Sequence, residues 1–215
     1  MNVSGHWPNA VGLKSGWAKA ETRPWNKDIN DAHLRLIRGN TAFLERCVGT
    51  IGGFGVAGVT SPPLLQENRG IWERAGFEAH LELLLFRRSL VGGLKVPVSD
   101  VVLLNNPPWV RMVEIDSSAF DPVWRMSEAG LREAFDATNR STVMATFDEE
   151  VLTGFTVVGT AGNTGYLQRV AVDPDQQGRG LGRALVRASM GWAVKRGATT
   201  MLLNTQPDNE TSAKL

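Results

Sequence analysis

Three glycines, two arginines and a glutamine crowd seven consecutive positions: Gln177, Gly178, Arg179, Gly180, Leu181, Gly182 and Arg183. Ahead of them, Val170, Ala171 and Val172 are strand formers or small apolar residues. Asp173-Pro174 ends that strand, because proline has no N–H to donate and restricts the residue before it. Behind them, Leu181, Ala184, Leu185, Ala188 and Trp192 recur at three- and four-residue steps, the apolar stripe of a helix lying on a sheet. The glycines therefore fall where a strand turns into a helix. The first N–H groups of a helix lack internal partners and sit at the positive end of its dipole. Glycine, with no Cβ, lets an anion reach them. Arg179 and Arg183 add positive charge, and an arginine in a first helical turn is unfavourable for the dipole unless an anion is near. The chemistry this pattern supports is the holding of a phosphate or pyrophosphate. A packing turn that needs glycine, with solvated arginines beside it, is the plainer alternative.

Spacing narrows the kind of site. A P-loop needs Gly-Lys-Ser/Thr, and the chain has Gly182-Arg183-Ala184. A Rossmann turn needs a third glycine where Arg183 stands. Gln177-x-x-Gly180-x-Gly182 resembles the acyl-CoA pyrophosphate loop of the GCN5-related N-acetyltransferases, whose pattern is Gln/Arg-x-x-Gly-x-Gly/Ala. The preceding strand, 167–174, resembles that family's fourth strand, and Asn209-x-x-x-Ala213-x-Leu215 its last helix start. The resemblance covers about residues 109–215. It implies acetyl-CoA as co-substrate and transfer of an acetyl group to a primary amine by direct attack on the thioester. The acceptor class is a small-molecule amine or a protein N-terminus. Val170, Ala171 and Val172 would pair with the amide-rich pantetheine arm like an added strand, past a bulge. The backbone from Gln177 to Gly182, with Arg179 and Arg183, would hold the pyrophosphate. Asn209 would be a further contact, or a helix N-cap, or both.

The attacking amine must be uncharged, and a lysine-like amine has a pKa near ~10.4, so a base would help. Backbone N–H groups near Val170 would stabilise the oxyanion. No base is named by the sequence. Glu114, Asp116, Glu149 and Glu150 are the carboxylates at hand, each also readable as a surface charge. Tyr166, the chain's one tyrosine, reads as packing.

The elements expected to carry these residues are a strand at 110–115, a helix after Asp121-Pro122 with Ser127 as N-cap, strands at 142–147 and 151–159, and a turn at 162–165. A fourth strand at 166–172, the glycine turn, a helix ended by Gly197 and a fifth strand at 199–203 follow. The fold class is α/β (α+β): a mixed, mostly antiparallel sheet flanked by helices. A connector is expected over 91–108, rich in Gly, Pro and Asn, with 101–104 as a short strand within it.

Residues 1–90 read as a smaller unit. Ile71-Trp72-Glu73-Arg74-Ala75-Gly76-Phe77 resembles the Tyr-x-x-x-Gly-Phe that closes the family's last helix, with Trp72 in place of the tyrosine that serves as acid. With a helix at 41–49, a strand at 56–60 and another at 80–87, this unit resembles a degenerate half of a tandem acetyltransferase. A glycine-capped amphipathic helix is the local alternative. The second copy stops at Leu215, before that tyrosine, which reads as a C-terminal truncation unless residues 71–90 complete its sheet.

Composition sets outer bounds. A formal net charge of +1 argues against a nucleic-acid binder, and one cysteine, Cys47, excludes an internal disulfide. Three scattered histidines (His6, His33, His80) give no metal-ligand spacing, so no metal is expected. No secretory signal or membrane-length apolar run is present, so a cytoplasmic location and no membrane partner are expected, with a homodimer left open.

Overall fold

The computed structural model describes residues 1–92, 100–207 and 209. Two compact units divide the chain, Met1–Leu81 and Glu82–Leu215.

In the first unit, strands β1 (Asn2–Ser4), β2 (Val11–Ser15), β3 (Ala18–Pro24) and β4 (Asp31–Arg38) form an antiparallel meander. Helix α1 (Thr41–Gly52) then leads to β5 (Gly58–Thr60), which lies parallel to β4. Alternation in β2 and β3 turns Val11, Leu13, Ala18 and Ala20 inward, where they meet Phe43, Leu44, Cys47 and Ile51 of α1. Burial pushes the Cys47 thiol up to about 11, so it is a neutral core group rather than a nucleophile. Short helix α2 (Gly70–Arg74) ends in a Schellman motif. Phe77 N–H donates to Trp72 O and Gly76 N–H to Glu73 O, with Gly76 at φ 88°. The Trp72 and Phe77 rings meet edge to face at 4.9 Å. Trp72, 4% exposed, is a core residue, and helix-end packing accounts for the Trp-x-x-x-Gly-Phe spacing.

In the second unit, six strands run in the order β6-β11-β10-β9-β8-β7. They are β6 (Leu84–Ser89), β7 (Val102–Leu104), β8 (Arg140–Asp148), β9 (Val151–Ala161), β10 (Thr164–Val172) and β11 (Thr200–Thr205). All neighbours are antiparallel except β10 and β11. Helices α3 (Trp109–Ala119) and α4 (Glu128–Asp136) cover one face, where Met112, Ile115 and Leu131 pack on Val143, Ala145, Phe155, Val157 and Ala171. Helix α5 (Leu181–Val194) covers the other, with Met144, Val158 and Met201. Central β9 is buried on both faces, which is why its sequence is apolar or small almost throughout. The architecture is the expected one, mixed and mostly antiparallel sheets with flanking helices.

Three expectations change. Residues 110–115 are not a strand but lie in α3: Met112, Ile115 and Asp116 are buried at helical spacing, while Val110 is 69% exposed. An inward aspartate hid the stripe, and an outward valine imitated a strand. The strand just ahead of α3 is β7, inside the stretch read as connector. After Asp121 only one 3-10 turn, Pro122–Trp124, precedes α4, whose N-cap is Ser127, accepting from Gly130 N–H. The strand expected at 80–87 begins at Leu84 and joins the second sheet, pairing antiparallel with β11 from Ser89↔Thr200 to Leu84↔Thr205. The compact division therefore falls at 81/82 rather than at 90. Gly93 and Pro97 of the connector, and the helix expected after Asn209, lie outside the described residues.

Candidate acyl-CoA site

The site is built where two parallel strands part. β10 and β11 pair from Thr164↔Thr200 to Leu167↔Leu203, and the pairing stops there. On its other edge β10 stays paired with β9, but the register jumps between Leu167↔Val158 and Arg169↔Val157. Gln168 is the extra residue of a β-bulge. Leu167 and Val170 pack with the α5 cluster, whereas Ala171 packs with the α3–α4 cluster. A cleft opens beyond the bulge, lined by Phe120, Gln168, Arg169, Val170, Asn204 and Gln206 among others.

Past Val172 the chain turns. Asp173 accepts from Asp175 N–H at 3.2 Å and pairs with Arg111 of α3 at 3.2 Å. Gln177 Nε2 donates to Val172 O at 3.2 Å, closing the turn on its own strand. Gly178 (φ 78°) and Gly180 (φ 82°) are left-handed, which a residue with a Cβ adopts at a cost. No atom lies within 4 Å of a Cβ placed on either, so the space beside the turn is open. Gly180 is the N-cap of α5, and no side chain caps the helix. Its first turn carries no acidic residue. Exposed N–H groups at the positive end of a fourteen-residue helix, beside open space, are suited to a pyrophosphate.

A family sequence model described as the acetyltransferase (GNAT) family matches residues 109–215, which hold the bulge, the turn and α5. The chain belongs to the GNAT family. Mycothiol acetyltransferases of Rhodococcus opacus (strain B4) and Rhodococcus jostii (strain RHA1) are each 32% identical, over 164 and 165 residues. The matches cover 66% and 67% of this chain, and 53% and 54% of the relatives. The chain thus spans about half the length of the curated relatives it matches. A tandem GNAT protein from the clavulanic acid biosynthesis pathway superposes with a TM-score of 0.58 at 13% identity, covering 95% of this chain and 76% of that one. A GCN5-related N-acetyltransferase from Sphaerobacter thermophilus superposes with 0.51 at 13% identity, covering 94% and 73%. Those two likenesses establish the fold alone.

Within this GNAT unit, Val170, Ala171 and Val172 lie on β10 past the bulge, and Gln177, Gly178, Arg179, Gly180, Leu181, Gly182 and Arg183 form the turn and the start of α5. Arg179 is held at the flank by Asp148, at 3.4 Å, and by Gln176. Arg183 is exposed and makes no ion pair among the described residues. Asn209 lines the cleft and is tied to Gln206, its N–H to the backbone O and its Nδ2 to Oε1, both at 3.2 Å.

None of the four carboxylates weighed as base lines this cleft. Glu114 pairs with Arg111 at 2.9 Å. Glu149 and Glu150 sit exposed at the β8–β9 hairpin, Glu149 at φ 54°. Asp116 is fully buried and bound twice by Arg169, Nε to Oδ2 at 2.6 Å and Nη2 to Oδ1 at 2.9 Å. Met126 N–H also donates to Asp116, at 2.7 Å. Sequence reasoning missed this pair, Phe120, and the wall made by the end of β11 and Gln206 just after it. One signal was present: an aspartate four residues after Met112, on the inward face of a helix, needs a cation or hydrogen-bond donors beside it.

Proposed function

We propose that the second unit transfers an acetyl group from acetyl-CoA to a primary amine, by direct attack of the amine on the thioester. One observation carries the reading: a left-handed glycine turn opens an uncapped helix at the point where β10 and β11 splay. The turn 177–183 would hold the pyrophosphate. The free edge of β10 at Val170–Val172 would hydrogen-bond the pantetheine arm as an added strand would. Acetyl-CoA supplies the activated acyl group. The described residues bind and orient it, and backbone N–H groups aimed at the carbonyl oxygen would favour the charge that develops there.

The lining supplied by the described residues is amide, hydroxyl, apolar and arginine, without a carboxylate or histidine. That observation favours one alternative, an acyl-CoA-binding unit without turnover. Among acceptors, a small-molecule amine comes first. The names of the two Rhodococcus relatives make mycothiol chemistry the first place to look, and a protein N-terminus is the other class. Residues 1–81 are proposed to be a degenerate copy of the same fold.

Thermal unfolding with and without acetyl-CoA tests the reading. A ligand that binds only the native state at one hundred times its Kd stabilises by about 2.7 kcal/mol. A clear upward shift, followed by CoA thiol release when the acceptor is added, is the expected result. A shift without thiol release from any amine supports the non-catalytic alternative, and no shift overturns both.

A further inference from the structure

We infer that the buried Arg169–Asp116 pair is the positioning device of the reacting centre, fixing the β10 bulge and the Phe120 wall of the cleft together. This rests on the acetyl-CoA reading of the same cleft.

In a regular strand, Leu167 and Arg169 would point to the same face. The extra residue at Gln168 reverses that phase. Leu167 stays with the α5 cluster, and Arg169 is turned to the opposite face, into α3. There its guanidinium meets three groups from three places in the sequence. It grips both Asp116 oxygens in a fork and donates to Trp124 O at 2.8 Å. It also lies over the Phe120 ring at 3.5 Å. Asp116 in turn accepts from Met126 N–H, just ahead of α4. The segment from Phe120 to Met126, which contributes a wall of the cleft, is thereby pinned to the one strand residue that follows the bulge.

This placement has a consequence for the ligand. Relaxing the bulge would restore regular phase to β10, moving Val170, which lines the cleft. Freeing Phe120 would move the wall opposite. The glycine turn lies several residues further along and is held by other bonds, Gln177 to Val172 O and Asp173 to Arg111. The pair should therefore govern contacts to the acyl and pantetheine end and leave those to the pyrophosphate in place. Arg169 and Asp116 act through backbone and ring, so they are positioning residues.

Two probes separate these ends: acetyl-CoA, and ADP, which carries a pyrophosphate but no pantetheine arm. Arg169→Lys keeps the charge but not the planar fork. Arg169→Met combined with Asp116→Asn removes both charges together and keeps an acceptor for Met126 N–H, so no buried charge is stranded. In either variant acetyl-CoA affinity is expected to fall about tenfold or more, the scale of one or two lost hydrogen bonds. ADP affinity is expected to change by less than about twofold, as for sites without shared partners. Equal losses for both probes, or acetyl-CoA affinity unchanged in a folded variant, would overturn the inference. If Arg169→Lys does not fold, the double variant decides. Failure of the unaltered chain to bind acetyl-CoA overturns the function reading itself and is distinguished by appearing without any substitution.

Discussion

At the residue scale, Gly180 separates what a turn needs for folding from what it needs for binding. Its φ of 82° is open to Asn and Asp at modest cost, and a Cβ there meets nothing within 4 Å. Gly180→Asp should therefore fold, and an acid at a helix N-terminus even suits the dipole. It also puts a negative charge where a pyrophosphate would lie. The expected outcome is a melting temperature close to that of the parent with no acetyl-CoA shift, while Gly180→Asn retains part of it. Retention of the full shift by Gly180→Asp would mean that the turn is not the anion site. The turn was legible because glycine and proline act locally, through their own backbone angles. The Arg169–Asp116 pair was not, because its partners stand 53 positions apart and only the tertiary fold brings them together.

At the element scale, the two sheets share an order of events. β1 to β5 and β7 to β11 each run as three antiparallel pairings followed by one parallel pairing, with a helix between the last two strands. In each, the parallel pairing is short: Asp31↔Gly58 to His33↔Thr60 in one, Thr164↔Thr200 to Leu167↔Leu203 in the other. This supports the duplicate reading of residues 1–81 better than the Trp72 pattern does, since helix-end packing explains that pattern. The two units differ at the start of the helix between the last two strands. Helix α1 follows β4 after two residues, and Asn40 caps it, accepting from Phe43 N–H at 3.0 Å. Its first turn is occupied by its own chain, whereas α5 is left open. Asn40→Ala should cost about 1 kcal/mol of stability, as loss of a cap does. It should leave the acetyl-CoA shift intact, as two thermal scans would read. A lost shift would give α1 a part in binding. The strand and helix identities of β8 to β11 and α5 were plain from periodicity. α3 was not, because its inward aspartate and outward valine contradict the pattern that periodicity reads.

At the scale of the whole molecule, the boundary between the units decides what can be removed. β6 pairs with all six residues of β11 and forms that edge of the sheet. Leu90 follows it into the α5 core at 4% exposure, and its N–H donates to Thr199 O at 2.8 Å. A chain begun at Glu82 keeps these; a chain begun at Val91 loses the strand and the leucine. Burial of one leucine is worth about 1.5–3 kcal/mol. An unpaired β11, adjacent to β10 on its other side, would present a free row of N–H and C=O groups, a template for aggregation. The expected result is that residues 82–215 unfold cooperatively and shift with acetyl-CoA, while residues 91–215 melt lower or aggregate. The second sheet thus includes a strand encoded ahead of its first helix, not only residues inside 109–215. Equal stability and equal ligand shift in the two truncations would mean that β6 contributes neither to the stability of the sheet nor to acetyl-CoA binding.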